Sequence, residues 1–178
     1  NLVTDGMTAV ALGLEPVEKG IMQRPPREVH EPVLNRGGML MILILGGYIG
    51  IVTLWLFHHY QTAQTLGVAQ TVAFTGIIVL EKMNVFNFRS LRAPMSVVGI
   101  FSNLWVIGAW ILTIGLQICA VYVPFLQRAL HTVPLGWKEW GLIIVMALPV
   151  FILTELYKWY RWHQTLKRKC ITSPSMTR

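Results

Sequence analysis

Apolar residues fall in blocks along this chain, and the blocks have the length of membrane spans. Residues 39–57, MLMILILGGYIGIVTLWLF, carry no charge. As a helix they suffice to cross a bilayer, whose hydrocarbon core of about 30 Å takes about 20 helical residues. The polar stretch HHYQTAQTLG, residues 58–67, reads as a short turn. Residues 68–88, VAQTVAFTGIIVLEKMNVFNF, form a second span with Glu81, Lys82, Asn84 and Asn87 toward its end. A basic connection follows, RSLRAPMSVVGIFS, apolar enough in part to lie at the interface. Residues 103–124, NLWVIGAWILTIGLQICAVYVP, form a third span. A loop bearing Arg128, between Pro124 and Pro134, leads to a fourth at 138–162. Pro149 lies in the middle of that run and predicts a kink.

The ends differ from the middle. Residues 1–14, NLVTDGMTAVALGL, are too short to span alone and read as the second half of a spanning helix. Residues 15–38 are charged and broken by four prolines, the pattern of a loop in water. Residues 163–178 form a basic tail expected to fray. The fold class is therefore all-α membrane protein: half of one transmembrane helix plus four full ones.

Composition agrees. The chain of 178 residues is 54% hydrophobic and 13% charged, where soluble domains carry about 25% charged residues. The net charge of +7 raises nucleic acid as a partner. The basic residues gather at span ends, however, which is the pattern of orientation signals and not of a nucleic-acid surface. With residues 15–38 on the cytoplasmic side, alternation puts 13 of the 15 Lys and Arg there, leaving Arg128 and Lys138 outside. The tail is then cytoplasmic. Trp105, Trp137, Trp140, Trp159, Tyr160 and Trp162 fall near span ends, where amphipathic rings prefer to sit. Cys119 and Cys170 form no framework.

Few residues offer chemistry. Asn1, Thr4 and Asp5 stand at i, i+3 and i+4 and share a helix face. All three present oxygen, the donor that hard cations such as Ca²⁺ require. Gly6 follows directly and is a place for the helix to loosen and free carbonyls for an ion. The same residues also fit a helix N-cap, with Thr or Asp binding backbone N–H groups. Glu81 lies inside its span, where a carboxylate costs about 2.5 kcal/mol or more unless paired, hydrated or protonated. Asn84 and Asn87 follow at three-residue steps and could share its face. Lys82 points about 100° away from Glu81 and is a poor partner within the helix. Gln117 fits an interhelical hydrogen bond, and Glu155 with Lys158 an i,i+3 pair. Gly46 and Gly50, four apart in GGYIG, either admit a second helix closely or are ordinary span glycines. The adjacent His58 and His59 do not share a face and make no metal pair. No GxGxxG, Walker loop, HExxH or Ser–His–Asp arrangement is present.

At this point the residues resemble a known family. NLVTDG, ALGLEP and IMQRPPR are similar to the sixth transmembrane helix and following cytoplasmic loop of P-type Ca²⁺-transporting ATPases. EKMNVFN resembles the eighth helix, and FSNLWVIGAWIL and LPVFILTELYKW resemble helices nine and ten. The likeness runs over almost all of residues 1–163.

The resemblance implies a fragment of a ten-helix membrane domain that begins inside helix six. In the family the Asn, Thr and Asp of this motif supply cation-ligating oxygens, which carry over to Asn1, Thr4 and Asp5. The helix-eight acid, a ligand in the sarcoplasmic-reticulum type, maps onto Glu81. The expected bound metal is Ca²⁺, as transported ion. The TDG triplet resembles the Ca²⁺ pumps more than the Na⁺,K⁺ pumps, and Thr4 leans away from the secretory-pathway type. Arg24, Pro25, Pro26 and Arg27 match the loop that couples the membrane helices to the phosphorylation domain.

The DKTGT motif, the actuator and nucleotide domains, and helices one to five are absent from the chain. No catalytic residue is therefore expected here, and the fragment alone should be inactive. ATP and Mg²⁺ enter only through those other domains, which, with the earlier helices and membrane lipid, are the expected partners. The expected function is the C-terminal membrane portion of an ATP-driven pump exporting Ca²⁺ from the cytoplasm. The expected location is the plasma (inner) membrane of a prokaryote, as a multi-pass protein. Pumping of Na⁺ or Mn²⁺, or a membrane scaffold with no transport role, are the alternatives.

Overall fold

A computed structural model describes residues 2–16, 36–91 and 93–172. Seven α-helices follow in order: α1 (Leu2–Gly13), α2 (Arg36–Ala63), α3 (Leu66–Phe88), α4 (Met95–Val98), α5 (Leu104–Tyr122), α6 (Pro124–Leu130) and α7 (Trp137–Thr172), with a 3-10 turn at Ile100–Ser102 between α4 and α5. No strand occurs among the described residues. In a bilayer every backbone polar group must be satisfied within the segment, and helices do that.

Four of these helices are long and apolar enough to cross a membrane: Gly37–Ala63, Leu66–Phe88, Leu104–Tyr122 and Trp137–Gln164. The second is the central one. Its mean hydropathy, 1.4, is below the 2.0 to 2.3 of the other three, yet half of its window is buried against 17% to 28% of theirs. A helix that faces protein instead of lipid can carry polar residues at membrane depth. α3 packs on α2, α7 and α5, while α1 packs on α5.

Two apolar clusters hold the bundle. The larger joins Leu45, Ile49, Val52 and Leu56 of α2 to Val72, Val79 and Leu80 of α3 and Ile143, Ala147 and Val150 of α7. The smaller sets Ala11 of α1 against Val85 of α3 and Val106 of α5. Among the described glycines, Gly76 is the one set tightly against a neighbouring helix, where an added Cβ would stand 2.9 Å from Leu56 Cδ1. Gly46 and Gly50 meet nothing within 4 Å, so no helix of the described structure uses the GGYIG face.

Two local expectations change. The stretch 58–67 is helical as far as Ala63, and the turn narrows to Gln64 and Thr65. The loop after the third span contains α6, started by Pro124 in the first turn, where its missing N–H costs nothing. α7 runs unbroken through Pro149. Neighbouring helices serve the carbonyls around that proline: Tyr48 Oη donates to Met146 O at 2.9 Å and Asn87 Nδ2 to Val150 O at 3.1 Å.

Candidate cation site

α1 meets α3 through polar groups. Thr8 stands one turn past Thr4 and Asp5, and its hydroxyl lies 3.1 Å from Thr4 O and 3.0 Å from Asp5 O. Lys82 reaches across from α3 into this group. Its Nζ donates to Asp5 Oδ1 at 2.7 Å, to Thr4 O at 3.1 Å and to Thr8 Oγ1 at 3.3 Å. An ammonium has three donors, and here each has an oxygen. That satisfaction is what permits a lysine side chain only 1% exposed. The Asp5 side chain is 46% exposed, so its other flank stays open.

Glu81, one residue before Lys82, projects from α3 in another direction. Its Oε2 is buried and has no hydrogen-bond partner among the described residues. Among the described residues, Asp5 and Lys82 are the charges that act on it. The structure thus brings Thr4, Asp5 and Thr8 together around Lys82, with Glu81 next to Lys82 on α3 and within electrostatic reach of Asp5. Asn1 and the loop residues Arg24, Pro25, Pro26 and Arg27 lie outside the described residues.

Several sequence-based readings need correction. Thr4 and Asp5 lie within α1, which starts at Leu2, so neither is its N-cap. The helix does not loosen at Gly6. The carbonyls there already have side-chain partners in Thr8 and Lys82, which removes the need to unwind. Asn84 and Asn87 do not join Glu81. Asn87 Nδ2 bonds Asn84 Oδ1 at 2.9 Å and reaches Val150 O on α7. Thr8 and Lys82 were the residues missed. A hydroxyl at i+4 from Thr4 was a visible signal; the partner of Lys82 was not, since it lies 77 residues away.

Two further networks fix the helices around the site. Arg89, its side chain fully buried, holds Glu15 through Nη2 at 2.7 Å and Nε at 3.1 Å. Its Nη1 donates to Gly99 O at 3.1 Å and Ile100 O at 2.8 Å. Asn103 caps α5 by accepting from Trp105 N and Val106 N, and its Nδ2 reaches Ala11 O at 3.0 Å and Glu15 Oε2 at 2.8 Å. Together they tie the end of α1 to the α3–α5 connection. On the other side Lys158 Nζ holds Asn87 O at 2.7 Å and Glu155 Oε1 at 3.1 Å. Glu155 Oε2 in turn accepts from Met95 N. Gln117 makes the interhelical bond its position implied, to Thr75 Oγ1 at 2.9 Å.

Chemically, the region offers hard oxygen donors and one buried carboxylate oxygen without a partner. Ca²⁺ takes six to eight oxygens. Among the described residues no group of three or more His, Cys, Asp or Glu forms a metal cluster.

Residues 1–160 match the family described as Cation transporting ATPase, C-terminus. The chain is 36% identical over 156 residues to a calcium-transporting ATPase of Bacillus subtilis, covering 86% of this chain and 17% of that protein. It is 30% identical to the endoplasmic reticulum-type calcium-transporting ATPase 3 of Arabidopsis thaliana, covering 89% of the chain and 19% of the relative. It is 31% identical to the mouse calcium-transporting ATPase type 2C member 2, covering 94% and 18%. The chain thus spans less than a fifth of the length of each of these three relatives.

Proposed function

The chain belongs to the cation-transporting ATPase C-terminus family, and from that membership we propose that it forms the C-terminal membrane portion of an ATP-driven P-type pump that exports Ca²⁺ from the cytoplasm. The buried, unpartnered Glu81 Oε2 carries the reading. A carboxylate oxygen without a partner at membrane depth is expensive unless something else completes it. A cation held between α1 and α3 would do so, with the open flank of Asp5 facing the same ion. Thr4, Asp5, Glu81 and Asn1 are the donors this chain contributes; earlier helices of the same polypeptide add the rest. ATP and Mg²⁺ act in the cytoplasmic domains, so this portion alone hydrolyses nothing.

Movement of the site between the two sides follows from coupling. The loop around Pro25 and Pro26 meets the phosphorylation domain and passes its changes to α1. α3, wedged among three helices, is the fixed wall against which α1 shifts. The charge bias of the loops puts the tail in the cytoplasm, and the compact connections favour a prokaryotic plasma membrane. The four apolar helices and the family agree on a multi-pass membrane protein.

The test uses the intact pump. Glu81→Gln removes a charge and leaves the shape. Since Oε2 has no protein partner to lose, folding should be kept. The Ca²⁺ concentration for half-maximal phosphorylation from ATP should rise at least about tenfold, equal to about 1.4 kcal/mol. An unchanged Ca²⁺ dependence would remove Glu81 from the site. Activation by Na⁺ or Mn²⁺ in place of Ca²⁺ would redirect the cation assignment.

A further inference from the structure

We propose that Lys82 is a built-in cation of the transport site, a tethered ammonium that holds one ion position and so limits how many metal ions the pump binds. The proposal rests on the reading of α1 and α3 as walls of that site. Three observations carry it. The Lys82 Nζ sits among Thr4 O, Asp5 Oδ1 and Thr8 Oγ1 at 3.1, 2.7 and 3.3 Å. These three oxygens come from one turn of α1, from a carbonyl, a carboxylate and a hydroxyl, the mixed hard-donor set that also suits a metal ion. The side chain is 1% exposed, so the contact is a built interior feature and not a surface pair.

The consequence is one of space and charge. The Nζ occupies the point from which a metal ion would reach Thr4 O, Asp5 Oδ1 and Thr8 Oγ1 together, so an ion bound beside it meets α1 only through the remaining donors of Thr4 and Asp5. Asp5 and Glu81 together offer two negative charges, and Lys82 offsets one of them. Among the described residues the buried carboxylate oxygen without a partner is Glu81 Oε2, while Asp5 keeps an exposed flank beside its contact with Lys82. A metal ion is therefore directed to the Glu81 side, and the α1 position is filled from within the protein. A lysine at this place acts as a selectivity element: it withholds donors from a second dication and keeps the region from carrying two uncompensated carboxylates when the metal has left.

Equilibrium binding of ⁴⁵Ca²⁺ to the intact pump, expressed per phosphorylation site, tests the proposal directly. Lys82→Met keeps the length and removes the charge; Lys82→Arg keeps the charge. The expected result is one additional bound Ca²⁺ per site in Lys82→Met and the parent value in Lys82→Arg. Equal stoichiometry in the parent and Lys82→Met would overturn the proposal. A parent that is phosphorylated by ATP without Ca²⁺ would overturn the calcium reading itself, and this one with it, so the two failures are distinct. Should Lys82→Met not fold, a structure of the unsubstituted pump loaded with Ca²⁺ decides the matter. Retention of the Lys82–Asp5 contact beside the bound ion supports the proposal, and Ca²⁺ at Asp5 Oδ1 with Lys82 displaced overturns it.

Discussion

A buried charge in a membrane helix must be answered atom by atom, and this chain answers three in different ways. Lys82 has an oxygen for each proton, Arg89 has a carboxylate and two carbonyls, and Lys158 has a carbonyl and Glu155. Removing one partner leaves the other charge stranded, which costs about 3–5 kcal/mol for a buried pair. Glu15→Gln should therefore lower the thermal unfolding temperature of the detergent-solubilised pump clearly, because Arg89 is fully buried behind it. An unchanged unfolding temperature would mean the pair is hydrated and weak. Glu81→Gln, by contrast, should leave that temperature in place. That difference in unfolding temperature would separate the structural role of Glu15 from the binding role proposed for Glu81. Spacing in the sequence brought forward Thr4, Asp5 and Glu81, because helical periodicity is a local property. It did not reveal Lys82 as the partner of Asp5 or Arg89 as the partner of Glu15. Both contacts join residues more than seventy positions apart, and no local pattern encodes them.

At the scale of elements, the long apolar runs were legible and the polar edges were not. Hydropathy found α2, α3, α5 and α7, because twenty apolar residues have few other fates. It ended α2 at a polar stretch that is in fact helical through Ala63, since polar residues at a membrane surface can continue a helix into water. Pro124, read as the last residue of the third span, instead opens α6. Pro149 drew attention to a kink; the structure shows neighbours supplying Met146 O and Val150 O. Glycines show the same limit. GGYIG has the spacing of a packing motif, yet the close approach lies at Gly76 against Leu56. Gly76→Ile should crowd Leu56 and destabilise the α2–α3 pair by about 1–3 kcal/mol. Leu56→Ala in the same protein should recover part of that loss, a coupling that unfolding of the two single variants and the double variant would measure. Additive effects would place the crowding elsewhere.

For the whole molecule, orientation and transport are linked. The proposed orientation, read from the charge bias, has Lys138 on the outer side and the tail inside. A cysteine in place of Lys138, which is exposed at the start of α7, should react with a membrane-impermeant maleimide in sealed cells. Reaction only after the membrane is opened would invert the topology. α3 stands at the centre of the bundle because it alone among the four spans has half its window buried, and it carries both Glu81 and Lys82. On the proposed reading, one helix then bears both the donor for the ion and the cation that fills the neighbouring position. This is the arrangement expected of a wall lining an ion path rather than of a passive scaffold. Sealed, inside-out membrane vesicles containing the intact protein decide between the two most directly, through ATP-driven ⁴⁵Ca²⁺ uptake. The account predicts uptake that needs ATP, is released by a Ca²⁺ ionophore and is lost in Glu81→Gln. Vesicles with the protein present and no ATP-dependent Ca²⁺ uptake above protein-free controls would contradict it.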